Sequence, residues 1–298
     1  MGFEVLGLDI RPPQDIGIGS SGPRVLNGDI TRPETIPSRI REAAILVHCA
    51  ALVHRKSADL SRANYFRVNL EGTRNILRAL DSDYLRQIIF LSTVSVYGLT
   101  NPGQAIDEKT PPVPLDPYGE SKLAAEEEVQ SFSDKKGFSH TIFRLAPVYG
   151  RDFRLNIDKR VYLPKQAAFY KIGDGTQRIS MCAVGNVVSA VSQGLAVEGG
   201  FRGVFNLKDR EDYSMNEIIA VMRKLDKHFY RPVLRIPKEP LVSCTSRVAS
   251  RRPGRGVQLG YQVGKVAWGA VYSGEKLLSA GVRLPWNLSS EMLGESRS

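Results

Sequence analysis

Short apolar runs alternate with longer amphipathic stretches through the first half of the chain. The runs have the length and composition of buried strands, and they lie at residues 4–10, 24–30, 45–47, 89–93 and 140–145. A short helix is predicted at 33–43, an amphipathic helix at 62–79, and a further helix that begins after Pro117. Such alternation of strands with helices is typical of βαβ units. It predicts an α/β fold built on a doubly wound parallel sheet.

The second half of the chain has a different pattern. It predicts a strand at 203–207 that returns to the sheet. Ser214 and Glu217 have the spacing of a capping box, which predicts a helix that begins after Ser214. We therefore predict a first domain at residues 1–146, to which the strand near 203–207 also belongs, and a smaller C-terminal lobe at 147–298.

Composition places the chain among ordinary soluble globular proteins, with 298 residues, 42% of them hydrophobic and 24% charged. No apolar run approaches the ~20 residues of a membrane span, and the first residues lack the features of a secretory signal. The three cysteines, Cys49, Cys182 and Cys244, are far apart, which favours reduced thiols over a disulfide framework or a zinc site. We expect a cytoplasmic protein without an integral membrane segment or a bound metal.

The net charge of +10 favours anionic partners, which include phosphorylated substrates, nucleic acid and membrane surfaces. The densest basic stretch lies at residues 247–255. We interpret it as a solvated loop, with a phosphate-facing or membrane-facing loop as the alternative, and we expect no nucleic-acid partner.

Candidate chemistry lies between residues 89 and 126. The strand at 89–93 ends in the hydroxyl residue Thr93, and Tyr118 and Lys122 share one face of the helix that follows. A phenol in water has a pKa of ~10, and a nearby ammonium lowers it. Together with a hydroxyl from Thr93 that holds a substrate oxygen, this pair can move a proton between an alcohol and a carbonyl.

Five motifs in the same order resemble the extended short-chain dehydrogenases, the NAD-dependent epimerase/dehydratase family. They are His-Cys-Ala-Ala at 48–51, Val-Asn-Leu-Glu-Gly-Thr-Arg-Asn at 68–75, Leu-Ser-Thr-Val-Ser-Val-Tyr-Gly at 91–98, Asp-Pro-Tyr-Gly-Glu-Ser-Lys at 116–122 and Arg-Leu-Ala-Pro-Val-Tyr-Gly at 144–150. The resemblance implies a Rossmann-like domain at 1–146 that binds NAD, a substrate-binding lobe at 147–298, and Thr93, Tyr118 and Lys122 as catalytic residues.

Cofactor contacts are expected at the ends of the first strands. An acid such as Asp9, at the end of its strand, accepts hydrogen bonds from the adenosine ribose in dinucleotide-binding folds, and it favours NAD over NADP. Arg11 weakens that preference slightly. The other cofactor contacts that the resemblance implies are Asp29, Ile30, Ala50, Ala51, Asn69, Tyr118 and Lys122. In the family, Asn69 braces the active-site backbone, and we expect His48 to have a structural role.

The glycine-rich phosphate loop is expected about 20 residues before Asp9, but only eight residues precede it. A Gly-x-Gly-x-x-Gly sequence does occur at Gly17, Gly19 and Gly22, but it lacks the strand before it and the helix after it that the motif requires. We expect a chain without the first strand and loop, with weak or no NAD binding and an exposed strand edge. The alternative to an enzyme is therefore an impaired fragment that acts as a binding or dimerisation module.

Substrate contacts are expected in the C-terminal lobe. Residues 173–178 resemble a sugar-nucleotide segment of the family, in which Arg178 would clamp a pyrophosphate. Val94 and Ser95 stand where the family's 4,6-dehydratases have Asp and Glu, which argues against that branch. We predict a homodimeric epimerase or dehydrogenase of a nucleotide sugar in cell-surface polysaccharide synthesis. A reductase of a non-nucleotide carbonyl is the alternative, because Pro147 replaces a substrate-contacting Asn that is frequent in relatives.

Overall fold

A computed structural model describes residues 3–11, 22–53, 61–98, 104–227, 230–240, 264 and 267–295. Three features named above fall outside this part of the chain. They are Cys244, the basic stretch at 247–255 and most of the rejected glycine-rich sequence at 17–22.

Twelve strands and eight α-helices are described in these ranges. The strands are β1 (Leu6–Asp9), β2 (Arg24–Asn27), β3 (Ile45–His48), β4 (Gln87–Thr93), β5 (Ser139–Leu145), β6 (Val148–Tyr149), β7 (Phe169–Ile172), β8 (Arg178–Ser180), β9 (Cys182–Ala183), β10 (Gly203–Leu207), β11 (Asp212–Ser214) and β12 (Val233–Ile236). The helices are α1 (Arg62–Phe66), α2 (Gly72–Ala79), α3 (Pro117–Lys136), α4 (Leu155–Val161), α5 (Val184–Ala196), α6 (Met215–Asp226), α7 (Glu275–Ser279) and α8 (Leu288–Leu293). A π-helix (Arg67–Glu71) joins α1 to α2.

The central sheet has four strands in the order β10-β5-β4-β3. Strands β3 and β4 are parallel, with His48 opposite Phe90 at the end of the register. The predicted strand at 203–207 does return to this sheet, where it lies beside β5. Strands β1 and β2 form a separate parallel pair, with Asp9 opposite Asn27. These strands and their connecting helices give the α/β architecture that the sequence predicted.

By their internal contacts, the residues divide into two compact units, and both are assembled from separated stretches of chain. Unit 1 comprises Met1–Ser92, Pro117–Phe143 and Gly194–Val204. Unit 2 comprises Thr93–Asp116, Arg144–Gln193 and Phe205–Ser298. The predicted division at residue 146 concerns binding roles, and it stays a prediction.

Each unit has its own apolar core. In unit 1, Ile88 and Phe90 of β4 pack with Leu77 of α2 and Val129 of α3, and all four are buried. Strand β4 is apolar along most of its length because helices cover it, and a strand that is covered on both faces has no polar face. In unit 2, the buried cluster is built around a larger set of side chains that includes Tyr149, Phe169, Met181, Met215, Ile218 and Leu288.

The sequence predicted one helix incorrectly and missed an irregularity inside a second helix, whose predicted bounds of 62–79 are confirmed. The short helix expected at 33–43 is two 3₁₀ turns, Pro33–Thr35 and Ser38–Glu42. Pro37 separates them with extended backbone, because proline lacks an N–H and cannot continue a helix. The helix expected at 62–79 is interrupted by the π-helix Arg67–Glu71, and the contacts of that segment explain why it forms.

Gly98 closes the 3₁₀ turn (Val94–Tyr97) that follows β4, and it needs to be glycine for two reasons. Its φ of +68° lies in the left-handed region that other residues rarely adopt. A Cβ built on it would lie 2.0 Å from the carbonyl oxygen of Val113. The requirement for glycine after Tyr97, in the motif at residues 91–98, is therefore steric.

We predict that Gly98→Ala destabilises the protein more than Gly137→Ala does. Gly137 also has a positive φ, of +77°, but nothing lies within 4 Å of a Cβ placed there. Gly137→Ala should therefore cost only the left-handed backbone penalty, about 1–2 kcal/mol. Gly98→Ala adds a collision with a backbone oxygen. Urea unfolding of the two variants measures the difference, and equal losses would contradict this steric interpretation.

Candidate active site

The end of strand β4 presents two buried hydroxyl side chains. Ser92 donates a hydrogen bond to Oε1 of Glu126 on α3. Thr93, which is 8% exposed, accepts a hydrogen bond at Oγ1 from the Ser95 amide at 3.2 Å and so caps the following 3₁₀ turn. The two side chains fix the end of the strand through different partners.

Helix α3 carries the predicted proton-transfer pair in its first turns. It begins at Pro117, a residue whose fixed φ suits the first helical position. Tyr118 is half-buried, and its ring centroid lies 6.0 Å from that of Tyr65. Lys122, one turn further on, is only 1% exposed.

Lys122 is an amine held in an apolar setting. Its Nζ lies above the Phe90 ring, 3.9 Å from the ring centroid. In this position the electron-rich face of the ring attracts a cation. Burial lowers the pKa of Lys122 to about 7, although the nearby Glu126 carboxylate acts in the opposite direction. Near neutral pH this side chain can therefore be either charged or neutral.

Asn69 lies inside the π-helix and holds two separate segments of unit 1. Its Oδ1 accepts a hydrogen bond from the Leu52 amide at 2.7 Å, and its Nδ2 donates to the Leu52 carbonyl at 3.2 Å. Nδ2 also donates to Oγ of Ser121 at 2.9 Å, and that hydroxyl donates to the Tyr118 carbonyl at 2.8 Å. A π-turn inserts an extra residue into a helix, frequently at functional sites. Here it places the Asn69 amide against the first turn of α3.

The ends of β1 and β2 carry the two predicted acids. Asp9 accepts two hydrogen bonds at Oδ1 from Arg11, from the amide at 2.8 Å and from Nε at 3.2 Å, and these contacts help to lower its pKa. Asp29 accepts from the amide and hydroxyl of Thr31, both at 2.8 Å, and its pKa is also lowered. The Ile30 carbonyl accepts from Asn75 at 2.8 Å.

These acids fit one end of NAD. An ionised, partly exposed carboxylate at the end of a parallel strand can accept hydrogen bonds from ribose hydroxyls, and Asp9 meets that description. Ala50 is exposed and Ala51 partly exposed after β3, where small side chains leave the backbone accessible. The ionised Asp9 thus suits the adenosine ribose, and the role of Lys122 at the nicotinamide ribose stays a prediction.

His48 is buried at 4% exposure at the end of β3, as the sequence predicted for a structural residue. Desolvation lowers its pKa to about 3, and the nearby Lys122 charge acts in the same direction. The imidazole is therefore neutral at physiological pH.

Arg178 lies on β8 in unit 2, and its side chain is 55% exposed. Its Nη1 donates to Oε2 of Glu217 at 2.6 Å and to the Asp212 carbonyl at 2.9 Å. Glu217 is also the acid of the predicted capping box with Ser214, which the structure confirms. The assignment of Arg178 to a pyrophosphate stays a prediction, and binding would have to compete with its pairing to Glu217.

The sequence alone indicated no role for Glu126, Ser121, Thr73 or Phe90. Glu126 had a visible signal, because Tyr118, Lys122 and Glu126 recur at helical spacing. The partners of Asn69 had no such signal, since Leu52 and Ser121 are far from it in the sequence and meet it only through the fold.

The described part of the chain contains no helix that is long and apolar enough to cross a membrane.

Comparison with known proteins identifies the family of the chain. The family model described as the NAD dependent epimerase/dehydratase family matches residues 2–207. The N-acetyl-alpha-D-glucosaminyl-diphospho-ditrans,octacis-undecaprenol 4-epimerase of Escherichia coli O157:H7 is 32% identical over 232 residues, which are 76% of this chain and 69% of that protein. The sterol-4-alpha-carboxylate 3-dehydrogenase of Saccharomyces cerevisiae is 29% identical over 169 residues, which are 55% of this chain and 47% of that protein.

Solved structures show the same fold. The UDP-glucose 4-epimerase of Thermus thermophilus, in complex with NAD, superposes with a TM-score of 0.70 at 20% sequence identity. The similarity covers 96% of this chain and 88% of that structure.

The matched family model and the shared fold define an enzyme of the short-chain dehydrogenase type, with a Rossmann-like parallel α/β sheet. The chain belongs to the NAD-dependent epimerase/dehydratase family. The predicted fold class, the predicted class of enzyme and NAD as its cofactor are thereby confirmed.

We predict that Lys122→Met stabilises the NAD-free protein at pH 6. At pH 6 the folded wild-type protein must bury the charged ammonium of Lys122. Above pH 7 this side chain loses its proton in the folded state, whereas in the unfolded chain the lysine keeps its proton up to its ordinary pKa of 10.5. The gain should be largest below pH 7 and shrink towards pH 10. Each kcal/mol gained should raise Tm by about 2–4 °C.

Thermal unfolding at several pH values measures this effect. Lys135→Met, an exposed lysine near the end of the same helix, is the matched control and should leave the pH dependence unchanged. A lower Tm for Lys122→Met at pH 6 would contradict the prediction.

Proposed function

We propose that this protein is a cytoplasmic, homodimeric NAD-dependent 4-epimerase of a sugar that is linked to a diphosphate, with a role in cell-surface polysaccharide synthesis. The observation that carries the proposal is the buried amine of Lys122, one turn after Tyr118 on α3, in a chain of the epimerase/dehydratase family. An amine in this setting would support ionisation of a neighbouring phenol.

The proposed roles follow from these side chains. NAD, when bound, supplies a hydride acceptor that can return the hydride to either face of the oxidised carbon. Tyr118 takes the proton of the sugar hydroxyl as the carbon is oxidised, and it returns the proton when the carbonyl is reduced. Lys122 stabilises the phenolate and holds the nicotinamide ribose. Thr93 orients the sugar oxygen, in the role that the family resemblance implies.

Elimination of water is disfavoured by the residues that follow Thr93. A dehydratase needs an acid and a base beside the leaving group. Val94 is apolar and 4% exposed, and Ser95 is not a carboxylate. This favours an epimerase over a 4,6-dehydratase.

The substrates named for two similar proteins both carry the sugar on a diphosphate. The relative from Escherichia coli is named for a sugar joined through a diphosphate to undecaprenol, whereas the Thermus thermophilus enzyme is named for UDP-glucose. We propose a diphosphate-linked hexose, and the assay must distinguish a nucleoside carrier from a polyprenol carrier.

A second candidate is a dehydrogenase or reductase of a non-nucleotide substrate. Pro147, which has no side-chain donor, and the similarity to a sterol-4-alpha-carboxylate 3-dehydrogenase favour it. Such an enzyme would consume NAD stoichiometrically, whereas an epimerase would show no net change of NAD.

The first test uses the full chain with NAD and two substrates, UDP-N-acetylglucosamine and undecaprenyl-diphospho-N-acetylglucosamine. We expect the C4 epimer of one of them and no net oxidation of the sugar. Tyr118→Phe should lower kcat by about 10²–10⁴ with the fold retained. Tyr84→Phe, at an exposed position in the same unit, is the matched control. Unchanged kcat in Tyr118→Phe would refute the role of this tyrosine.

The second test concerns Arg178. Arg178→Ala should raise KM for the diphosphate-linked sugar by about tenfold, because a charge-assisted bidentate contact is lost, and should leave the affinity for NAD unchanged. Arg210→Ala, another exposed arginine of unit 2, is the control. An equal loss of NAD affinity would place Arg178 in the cofactor site instead.

A further inference from the structure

His48 is a buried imidazole for which the proposed chemistry has no use. It ends β3, directly opposite Phe90 in the parallel register, and the two ring centroids are 5.4 Å apart. Its Nε2 lies 2.9 Å from Oγ1 of Thr73 on α2. A polar side chain buried at this depth is expected to have a defined hydrogen-bonding role.

The proton count of Thr73 fixes the direction of this contact. The Thr73 hydroxyl has one proton, and it donates that proton to the Asn69 carbonyl at 2.6 Å. The same oxygen can therefore only accept from His48, so Nε2 of the imidazole carries the proton. His48, Thr73 and the Asn69 carbonyl form one directed chain of hydrogen bonds.

The chain of hydrogen bonds ends at the π-helix that positions the Asn69 side chain. The Asn69 backbone is held by Thr73, and its side-chain amide is bonded to Leu52 and to Ser121. Ser121 in turn bonds the Tyr118 carbonyl. All of these residues belong to unit 1. The imidazole is thus linked, through four hydrogen bonds, to the backbone of the residue assigned to proton transfer.

We propose that His48 and Thr73 are positioning residues, which act through the Asn69 backbone to set the first turn of α3 and thereby the placement of Tyr118. The inference rests on the proposed function only in taking Tyr118 as the proton-transfer residue. Neither side chain is assigned a contact with the substrate or the cofactor.

Two matched pairs of substitutions, one pair at Thr73 and one at His48, test these hydrogen bonds. Thr73→Val keeps the shape of the side chain and removes the hydroxyl, whereas Thr73→Ser keeps the hydroxyl. His48→Leu removes the donor, whereas His48→Gln retains an N–H donor near the position of Nε2. If the hydrogen bonds matter, the first member of each pair is impaired and the second is rescued.

The kinetic readout separates positioning from a purely structural role. We expect Thr73→Val and His48→Leu to lower kcat at least about tenfold, because small misplacements of a catalytic group cost large factors in rate. KM for the sugar should change less than kcat, and Thr73→Ser and His48→Gln should stay within about threefold of the wild type. A lower Tm with unchanged kcat in Thr73→Val would overturn the proposal.

Two measurements on the cofactor-free protein do not require turnover. In ¹⁵N-histidine-labelled protein, His48 should be the neutral tautomer with the proton on Nε2. In ¹³C-tyrosine-labelled protein, the Cζ resonance of Tyr118 should move in Thr73→Val and not in Thr73→Ser. A proton on Nδ1, or an unmoved Tyr118 resonance, would refute the inference. If no sugar is epimerised but the Tyr118 resonance responds as expected, the proposed function fails and the positioning role stands.

Discussion

Unit 1 accommodates a costly feature, an amine buried on the face of an aromatic ring, and neighbouring residues are arranged to tolerate it. Lys122 lies over Phe90, and burial makes its ammonium form costly enough to lower its pKa to about 7. The surrounding groups limit that cost. Glu126, which is fixed by Ser92, supplies a negative charge one turn along α3. The neutral imidazole of His48 on the neighbouring strand adds no second positive charge.

The π-helix is the second constraint, and it follows from the polar groups that unit 1 must satisfy. A regular helix through 62–79 would place Asn69 differently relative to Leu52 and Ser121, with which it now makes three hydrogen bonds. The Thr73 hydroxyl satisfies the Asn69 carbonyl at the widened turn. A local irregularity thus connects the segment after β3 to the first turn of α3.

The sequence predicted the fold class, six of the twelve described strands, and the placement of Tyr118 and Lys122 on one helix, because hydrophobic periodicity and i, i+4 spacing are local properties. It missed the interruption of the helix at 62–79, since the groups that stabilise the π-turn come from distant parts of the chain. It predicted burial of His48 but not its bond to Thr73. The roles of Asp9, Asp29, Ile30, Ala50, Ala51, Asn69, Thr93, Tyr118, Lys122 and Arg178 stay predictions that require kinetic and binding measurements.

The segments of the two units alternate along the chain, and this affects how the protein folds during synthesis. Unit 1 needs the segment Gly194–Val204, so a ribosome has already translated two of the three segments of unit 2 before unit 1 is complete. Contacts between residues so distant in sequence slow folding, because a long loop must close before they form. Until then the apolar face of β4 has an incomplete cover, and nascent chains would be natural clients for chaperones. For the same reason, no single cleavage of the chain separates one unit intact from the other.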